Sequence, residues 1–210
     1  MPLTAPVPKG DFKIIDPGSY VARCYMVVDL GTHSEDYQGT ISDKRKIRVV
    51  KRKIRVVWEL PTELHEFEKK GVKKEAPAVI GKEYTLSMGG KANLRKDVEK
   101  MIGTTLTDDE AGAFDVFSLV GMDSMIQIAN KESKQGKTYA LVQAIMKVPK
   151  GMVCPDAVNA PVTFNTAEWN QGVFESLPKF IQEKINQSHE RRDIVDTGKE
   201  EEINPDDIPF

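Results

Sequence analysis

Positive charge is concentrated in one short stretch, where eight of the twelve residues from Lys44 to Arg55 are lysine or arginine. Like charges at this density repel one another unless an anion lies between them, so the stretch favours an anionic partner. A phosphate backbone is such a partner, and exposed aromatic rings nearby would stack on its unpaired bases. We therefore predict a single-stranded nucleic-acid site. Its candidate residues are Arg23, Tyr25, Tyr37, Lys44, Arg45, Lys46, Arg48, Lys51, Arg52, Lys53 and Arg55.

Within this stretch the heptapeptide KRKIRVV occurs twice in succession, at 44–50 and 51–57. Because seven is odd, a straight strand would turn the two copies to opposite faces, and only a bulge or loop could restore the parity. We expect the second copy to be a sheet strand that continues into a buried Trp58. The first copy would extend a long basic hairpin arm or loop. A recent tandem duplication, or an error in the sequence, is an alternative that the residues leave open.

Patterns for catalysis and for metal binding are weak by comparison. The segment QGKT at 135–138 has the end of a phosphate-binding loop, but Lys131 stands where the earlier glycine is required. The segment MGGKAN at 88–93 indicates a turn before a helix. Cys24 and Cys154 lie far apart, and neither they nor the three histidines have metal-ligand spacing. We predict no enzymatic activity, no metal and no cofactor.

Alternation of apolar and polar residues predicts strands over 18–31, 53–60 and 82–88, and a hairpin over 122–148. Helical spacing predicts helices at 91–103 and 107–121, with Thr107 as N-cap, and one at 167–187 that Pro178 splits or kinks. Pro61 should end its strand, and 62–81 should form a short helix and loop. In the first strand the residues predicted to face the core are Tyr20, Ala22, Cys24, Met26, Val28 and Leu30; those predicted to be exposed are Val21, Arg23, Tyr25, Val27 and Asp29.

This order of elements is expected of a small five-stranded antiparallel barrel such as an OB-fold, and other antiparallel barrels remain open. We predict a mainly β protein with helices: a barrel domain over 1–150, a helical extension packed on it over 151–188, and a disordered acidic tail over 189–210. The segment from Asp193 to Phe210 carries a net charge of −6, which leaves +4 elsewhere. No run approaches the ~18 apolar residues of a membrane span, and MPLTAPVPKGDFK lacks the apolar core that a secretory signal needs. We expect a cytoplasmic protein.

The last ten residues read EEINPDDIPF, and they resemble the acidic tip of bacterial single-stranded DNA-binding proteins. In that family the tip binds replication, recombination and repair enzymes: the terminal Phe enters an apolar pocket and the acids meet a basic rim. The resemblance implies a partner-binding role for Asp206, Asp207, Ile208, Pro209 and Phe210.

The body of the chain is similar to a group of tailed-phage single-stranded DNA-binding proteins over residues 10–185. The motifs that carry this similarity are PGSYVARCYMVVDLGTH, KIRVVWELP and GKTYALV…PKG. It implies an OB-fold that coats single-stranded DNA in phage replication and recombination, in the host cytoplasm. The doubled KRKIRVV departs from the single strand of that group. The alternatives are a recombination mediator or annealing protein, and a phage structural or assembly protein without a DNA-binding role. The residues do not determine the oligomeric state.

Overall fold

The structure is a computed structural model, and it describes residues 14–37, 47–69, 72–133 and 135–192. Lys44, Arg45, Lys46 and the five predicted tip residues at 206–210 lie outside the described residues. The strands are β1 (Gly18–Tyr37), β2 (Ile47–Lys69), β3 (Val72–Thr85), β4 (Asp123–Glu132), β5 (Thr138–Met146) and β6 (Val162–Phe164). The helices are α1 (Asn93–Ile102), α2 (Asp108–Gly112), α3 (Gln171–Ser176) and α4 (Lys179–Asn186), with a 3-10 helix at Val116–Leu119.

The strands form one mainly antiparallel sheet in the order β3-β2-β1-β4-β5, and the short β6 adds to β1 in parallel. This confirms the prediction of a mainly β protein with a few helices. The edge strands β3 and β5 lie near each other across the core. They form no ladder within the described part of the chain, so the sheet is not closed.

The main core lies on one side of this sheet, where α1 covers it. Trp58 and Cys24 are fully buried there, as predicted, and α1 contributes Leu94, Val98 and Met101. Replacing a buried tryptophan by alanine in such a core costs about 3–5 kcal/mol. The core therefore fixes the position of β2, which carries much of the predicted site.

A second cluster lies on the opposite face of β1 and β2. Residues 162–185 cover that face with apolar side chains from β6, α3 and α4. Because both faces of the central strands are buried, the sequences of these strands do not alternate cleanly between apolar and polar residues. The second cluster consists of Met26, Val28, Leu30, Val57, Phe164, Phe174, Leu177, Ile181 and Ile185.

The prediction that one face of β1 is exposed is wrong beyond Cys24. The register pairs Cys24 with Trp58 and Met26 with Val57, so Tyr25 is an extra residue in a bulge. The bulge exchanges the two faces: Val27 enters the main core with no exposed surface, and Met26 faces the second cluster. Asp29, also predicted to be exposed, is only 2% exposed.

The predictions that Pro61 ends its strand, and that 62–81 is a short helix and loop, are also wrong. Pairing between β2 and β3 breaks between Leu60 and Leu64, so Pro61 lies in an irregularity where its missing N–H is not needed. Beyond it the two strands pair again as a ribbon as far as Lys69. In this ribbon the backbone of Glu68 is paired with that of Lys73.

The second copy of KRKIRVV and residues 47–50 of the first copy lie on one strand, β2. Residues 47–50 pair with the end of β1, from Ser34 to Tyr37, which confirms a hairpin arm for this part of the first copy. The copies face opposite sides, as their odd spacing predicts. Val57 of the second copy is buried at 6% exposure, whereas its counterpart Val50 in the first copy is 55% exposed.

Local signals for helix ends are confirmed. Gly103 ends α1 with a positive φ of 74°, and Thr107 begins α2 with a capping box to Glu110. The segment 107–121 nevertheless forms two short helices and not one. Pro178 separates α3 from α4, and β4 and β5 form the predicted hairpin. No helix in the described ranges has the length and apolar character needed to span a bilayer.

Candidate nucleic-acid interface

A basic groove of about 740 Å³ lies between the β2–β3 pair and the beginning of α1. Lys51 and Lys53 reach it from β2, Lys82 from β3, and Lys91 from the turn before α1. On β2 the two predicted cations share a face because they are two residues apart. Four lysines from three different segments therefore line one open cavity.

The segment MGGKAN forms the predicted turn, in which the Ala92 N–H donates to the carbonyl of Gly89 at 2.8 Å. Ala92 is also the N-cap of α1, and it offers no side-chain cap to the first helical turn. No acidic residue lies in that turn. The positive end of the α1 dipole therefore adds to the charge of the lysines at this wall.

Lys82 is held in the groove by a buried carboxylate. Its Nζ lies 2.6 Å from Oδ2 of Asp97, which also accepts a hydrogen bond from the Tyr84 hydroxyl at 2.9 Å. Burial raises the pKa of Tyr84, and the nearby charge of Asp97 raises it further. The Tyr84 hydroxyl therefore remains a donor. On the opposite wall the Lys53 ammonium donates to Thr85 at 3.3 Å. Both contacts fix ammonium groups at defined points along the groove.

The three predicted arginines that the structure describes with their side chains contact carboxylates. Arg23 Nε lies 2.7 Å from Asp123, and its guanidinium also donates to the Cys154 carbonyl at 3.4 Å. Arg55 lies 3.2 Å from Glu83, which also contacts Lys184 of α4 at 2.5 Å. These contacts tie strands and helices together, and the role of the arginines in DNA binding stays a prediction.

Arg52 belongs to the most elaborate of these contacts. It donates to both oxygens of Asp29, from Nε at 3.2 Å and from Nη2 at 2.7 Å. The same carboxylate accepts bonds from the backbone N–H groups of Gly31 and Thr166, each at 3.1 Å, and from the Thr166 hydroxyl. Burial alone would raise the pKa of Asp29, but the bonds from Arg52 and Thr166 outweigh it and hold the pKa below its ordinary value. This Asp29 cluster joins β1, β2 and the segment that follows β6.

Next to the Asp29 cluster, a C-terminal latch of His189 and Glu190 fastens the end of the described chain to β1. Glu190 accepts bonds from the Thr32 backbone at 2.8 Å and from its hydroxyl at 2.6 Å, and His189 lies 2.8 Å from Ser34. Gly31 permits this approach: it has a φ of 78°, and a Cβ there would lie 2.6 Å from Ser188. The base of the β1–β2 arm is thus held by a segment more than 150 residues away in sequence.

Of the two predicted tyrosines, Tyr25 is described with its side chain, and it does not line the groove. Tyr25 is half-buried against the second cluster, and burial raises its pKa. Tyr37 ends β1, where its backbone is paired with Ile47, and Arg48 is paired with Asp36. Their roles in stacking and phosphate binding stay predictions.

Two groove residues, Lys82 and Lys91, are absent from the sequence-based site. Lys82 opens the predicted strand at 82–88, and Lys91 follows the glycine pair of MGGKAN. Neither has a local signal stronger than that of an ordinary surface lysine; only the fold brings them beside Lys51 and Lys53.

Among the described residues, no group of His, Cys, Asp and Glu could hold a metal ion. Comparisons of the chain with protein-family models, with curated proteins and with solved structures gave no match.

Proposed function

We propose that this protein binds single-stranded DNA with little sequence preference, and that it coats the strand without an enzymatic step. The observation that carries the proposal is the basic groove, in which Lys51, Lys53, Lys82 and Lys91 line one cavity. Ammonium groups attract phosphates as point charges, without bidentate geometry or contact to base edges. Such a groove suits a backbone whose sequence varies.

The strand order supports a finer assignment of the fold. The sheet has the order β3-β2-β1-β4-β5, with β3 near β5, and α1 lies between β3 and β4 in the chain. This is the arrangement expected of a partly open OB-fold barrel. OB-folds bind oligonucleotides over their second and third strands. We assign this fold to the protein, and the groove at β2 and β3 lies where that fold would bind a strand.

The second cluster supports the same path for the DNA. Residues 162–185 cover the face of β1 and β2 around Met26, Val28 and Val57, so a nucleic-acid strand cannot cross there. The groove on the β2–β3 side remains open. In the sequence, the first KRKIRVV copy precedes Lys51 and would supply further cations.

The proposal is tested by fluorescence anisotropy with labelled oligothymidine over a range of salt concentrations. We expect binding that weakens steeply with salt, since each phosphate contact contributes about 0.7 to the slope of log K against log salt for a single strand. The double variant Lys53→Gln/Lys91→Gln should reduce that slope by about 1.4. The matched control, Lys147→Gln/Lys150→Gln, removes two exposed lysines outside the groove and should leave the slope unchanged.

Two outcomes would overturn the proposal. One is a wild-type protein that does not bind oligothymidine at modest salt, which would favour a structural or assembly role. The other is equal affinity for single- and double-stranded DNA of matched length. An annealing assay separates a coating protein from an annealing protein, because only the latter accelerates the pairing of complementary strands.

For the acidic tip we propose recruitment of replication and recombination enzymes, as its resemblance implies. Removing residues 201–210 should leave the affinity for oligothymidine unchanged or higher, while binding to the partner enzyme is lost. A large fall in DNA affinity on this truncation would contradict the proposed division between groove and tip.

A further inference from the structure

One aromatic side chain beside the groove is exposed and yet held in place. Phe180 lies in the first turn of α4, and 54% of its surface is exposed, whereas Ile181 and Ile185 of the same helix are buried. A single exposed apolar residue is common on protein surfaces and needs no explanation by itself. The surroundings of Phe180 are what distinguish it.

Phe180 is fixed by a network of charges that links α4 to the sheet. The Arg55 guanidinium lies over its ring, 5.1 Å from the centroid, and Arg55 also contacts Glu83 at 3.2 Å. Lys184, one helical turn after Phe180, contacts the other oxygen of Glu83 at 2.5 Å. Ring, cation and carboxylate therefore form one unit at the junction of β2, β3 and α4.

The sheet makes room for this unit. A Cβ at position 81 would lie 2.8 Å from the Arg55 guanidinium, so the glycine at that position allows the side chain to cross β3. Arg55 Nε is buried and has no hydrogen-bond partner among the described residues. The close approach to Gly81 and the contact with Glu83 confine the guanidinium to the position from which it supports the ring.

The unit adjoins the basic groove through a shared residue. Glu83 lines the groove together with Lys53, and it contacts both Arg55 and Lys184. Phe180 therefore lies one residue beyond the groove wall, on the side from which α4 approaches. A strand whose phosphates contact the lysines would bring its bases within reach of an exposed ring already supported by a cation.

We propose that Phe180 is the base-stacking residue of this interface. The inference rests on the proposed function, since it concerns the bases of a strand whose backbone lies in the basic groove. Stacking accepts every base, because each has a flat π face, and it therefore agrees with binding that does not depend on sequence. It also supplies the base contact that four lysines cannot provide.

The test compares Phe180→Leu and Phe180→Trp with the wild type on two probes. One probe is oligothymidine, and the other is an abasic oligonucleotide of the same length, which retains the phosphates but lacks bases. We expect Phe180→Leu to weaken oligothymidine binding about 5- to 150-fold and to leave binding of the abasic probe unchanged. Phe180→Trp should retain oligothymidine affinity, and its fluorescence should be quenched on binding. Val153→Ser, which alters a residue that is 84% exposed and lies outside the groove, is the control and should change neither affinity.

The possible failures are distinguishable. If Phe180→Leu binds oligothymidine as tightly as the wild type, the stacking role is wrong although the proposed function stands. If the variant loses affinity for both probes equally, Phe180 positions Arg55 and Glu83 and does not stack, which also overturns the inference. If the wild type binds neither probe, it is the proposed function that fails. Thermal unfolding of each variant verifies that α4 remains folded.

Discussion

Arg52 and Lys53 are adjacent in the basic stretch, yet they lie on opposite faces of β2, and we expect their neutral variants to behave differently. Arg52→Gln removes the guanidinium that donates two hydrogen bonds to the buried Asp29. Lys53→Gln removes a cation from the wall of the basic groove. The first variant should lose stability and keep the salt dependence of DNA binding. The second should keep its stability and lose part of that salt dependence.

The size of the first effect follows from the contacts of Asp29. A hydrogen bond to a charged group contributes about 1.5–3 kcal/mol net, and breaking a buried ion pair costs about 3–5 kcal/mol. The upper range does not apply, because the Arg52 side chain is 40% exposed and because Asp29 keeps its donors from Thr166 and Gly31. We therefore expect Arg52→Gln to lower the free energy of unfolding by about 2–3 kcal/mol.

For Lys53→Gln we expect the free energy of unfolding to change by less than about 0.5 kcal/mol. The slope of log K against log salt should become shallower by about 0.7, the value for one phosphate contact to a single strand. Urea unfolding followed by circular dichroism measures the stabilities, and a loss of 2–3 kcal/mol corresponds to a midpoint lower by roughly 1 M. Anisotropy with oligothymidine at several salt concentrations measures the slopes.

Two results would refute this reasoning. If Arg52→Gln unfolds at the same urea concentration as the wild type, the Asp29 cluster does not hold β1, β2 and the segment after β6 together. If Arg52→Gln makes the salt slope as shallow as Lys53→Gln does, Arg52 contacts phosphate, and the division between the two faces of β2 is incorrect.

Three further predictions concern stability. The pKa of Asp29 is lower in the folded protein than its ordinary value of 3.8. Its contribution to the stability of the protein should therefore be complete above about pH 4 and be lost as the pH falls through the folded pKa. Urea midpoints measured at decreasing pH from neutral test this. Gly31→Ala should destabilise the protein by about 1–3 kcal/mol and expose the C-terminal latch to proteolysis, because Gly31 has a positive φ and lies close to Ser188. The control Gly112→Ala should have little effect, because the space around Gly112 is open. Thr107→Ala should cost about 1 kcal/mol in thermal or urea unfolding and Thr107→Ser much less, and equal losses would show that the capping hydroxyl is unimportant.

Features that depend on neighbouring residues were predictable from the sequence. The αL end of α1 at Gly103, the capping box at Thr107 and the break at Pro178 are set by residues within one helical turn. The bulge at Tyr25 and the irregularity at Pro61 were not predictable, because each is defined by pairing with another strand. That is why the faces of β1 were assigned incorrectly beyond Cys24.

The candidate site divides in the same way. Charge density pointed to Lys51 and Lys53, which do line the groove. It could not separate them from Arg52, whose partner Asp29 lies 23 residues earlier in the chain. Lys91 reaches the groove only because α1 begins beside β3. Density of charge locates a cationic strand, but the fold decides which of its cations face a ligand.

In the Asp29 cluster and in the second cluster, β1 contacts residues far later in the sequence, which has a consequence for synthesis of the protein. Asp29 can accept its hydrogen bonds from Thr166 only after a further 137 residues have been synthesised. The apolar side chains of Met26, Val28 and Leu30 stay uncovered until α4 has been made. At ~5–20 residues per second a ribosome needs about 7–27 s to supply that stretch. During this interval we expect these apolar side chains to be exposed on the nascent chain, as surface to which chaperones bind. A gene cut short before the codon for Val162 would make that exposure permanent, and its product should collect in inclusion bodies.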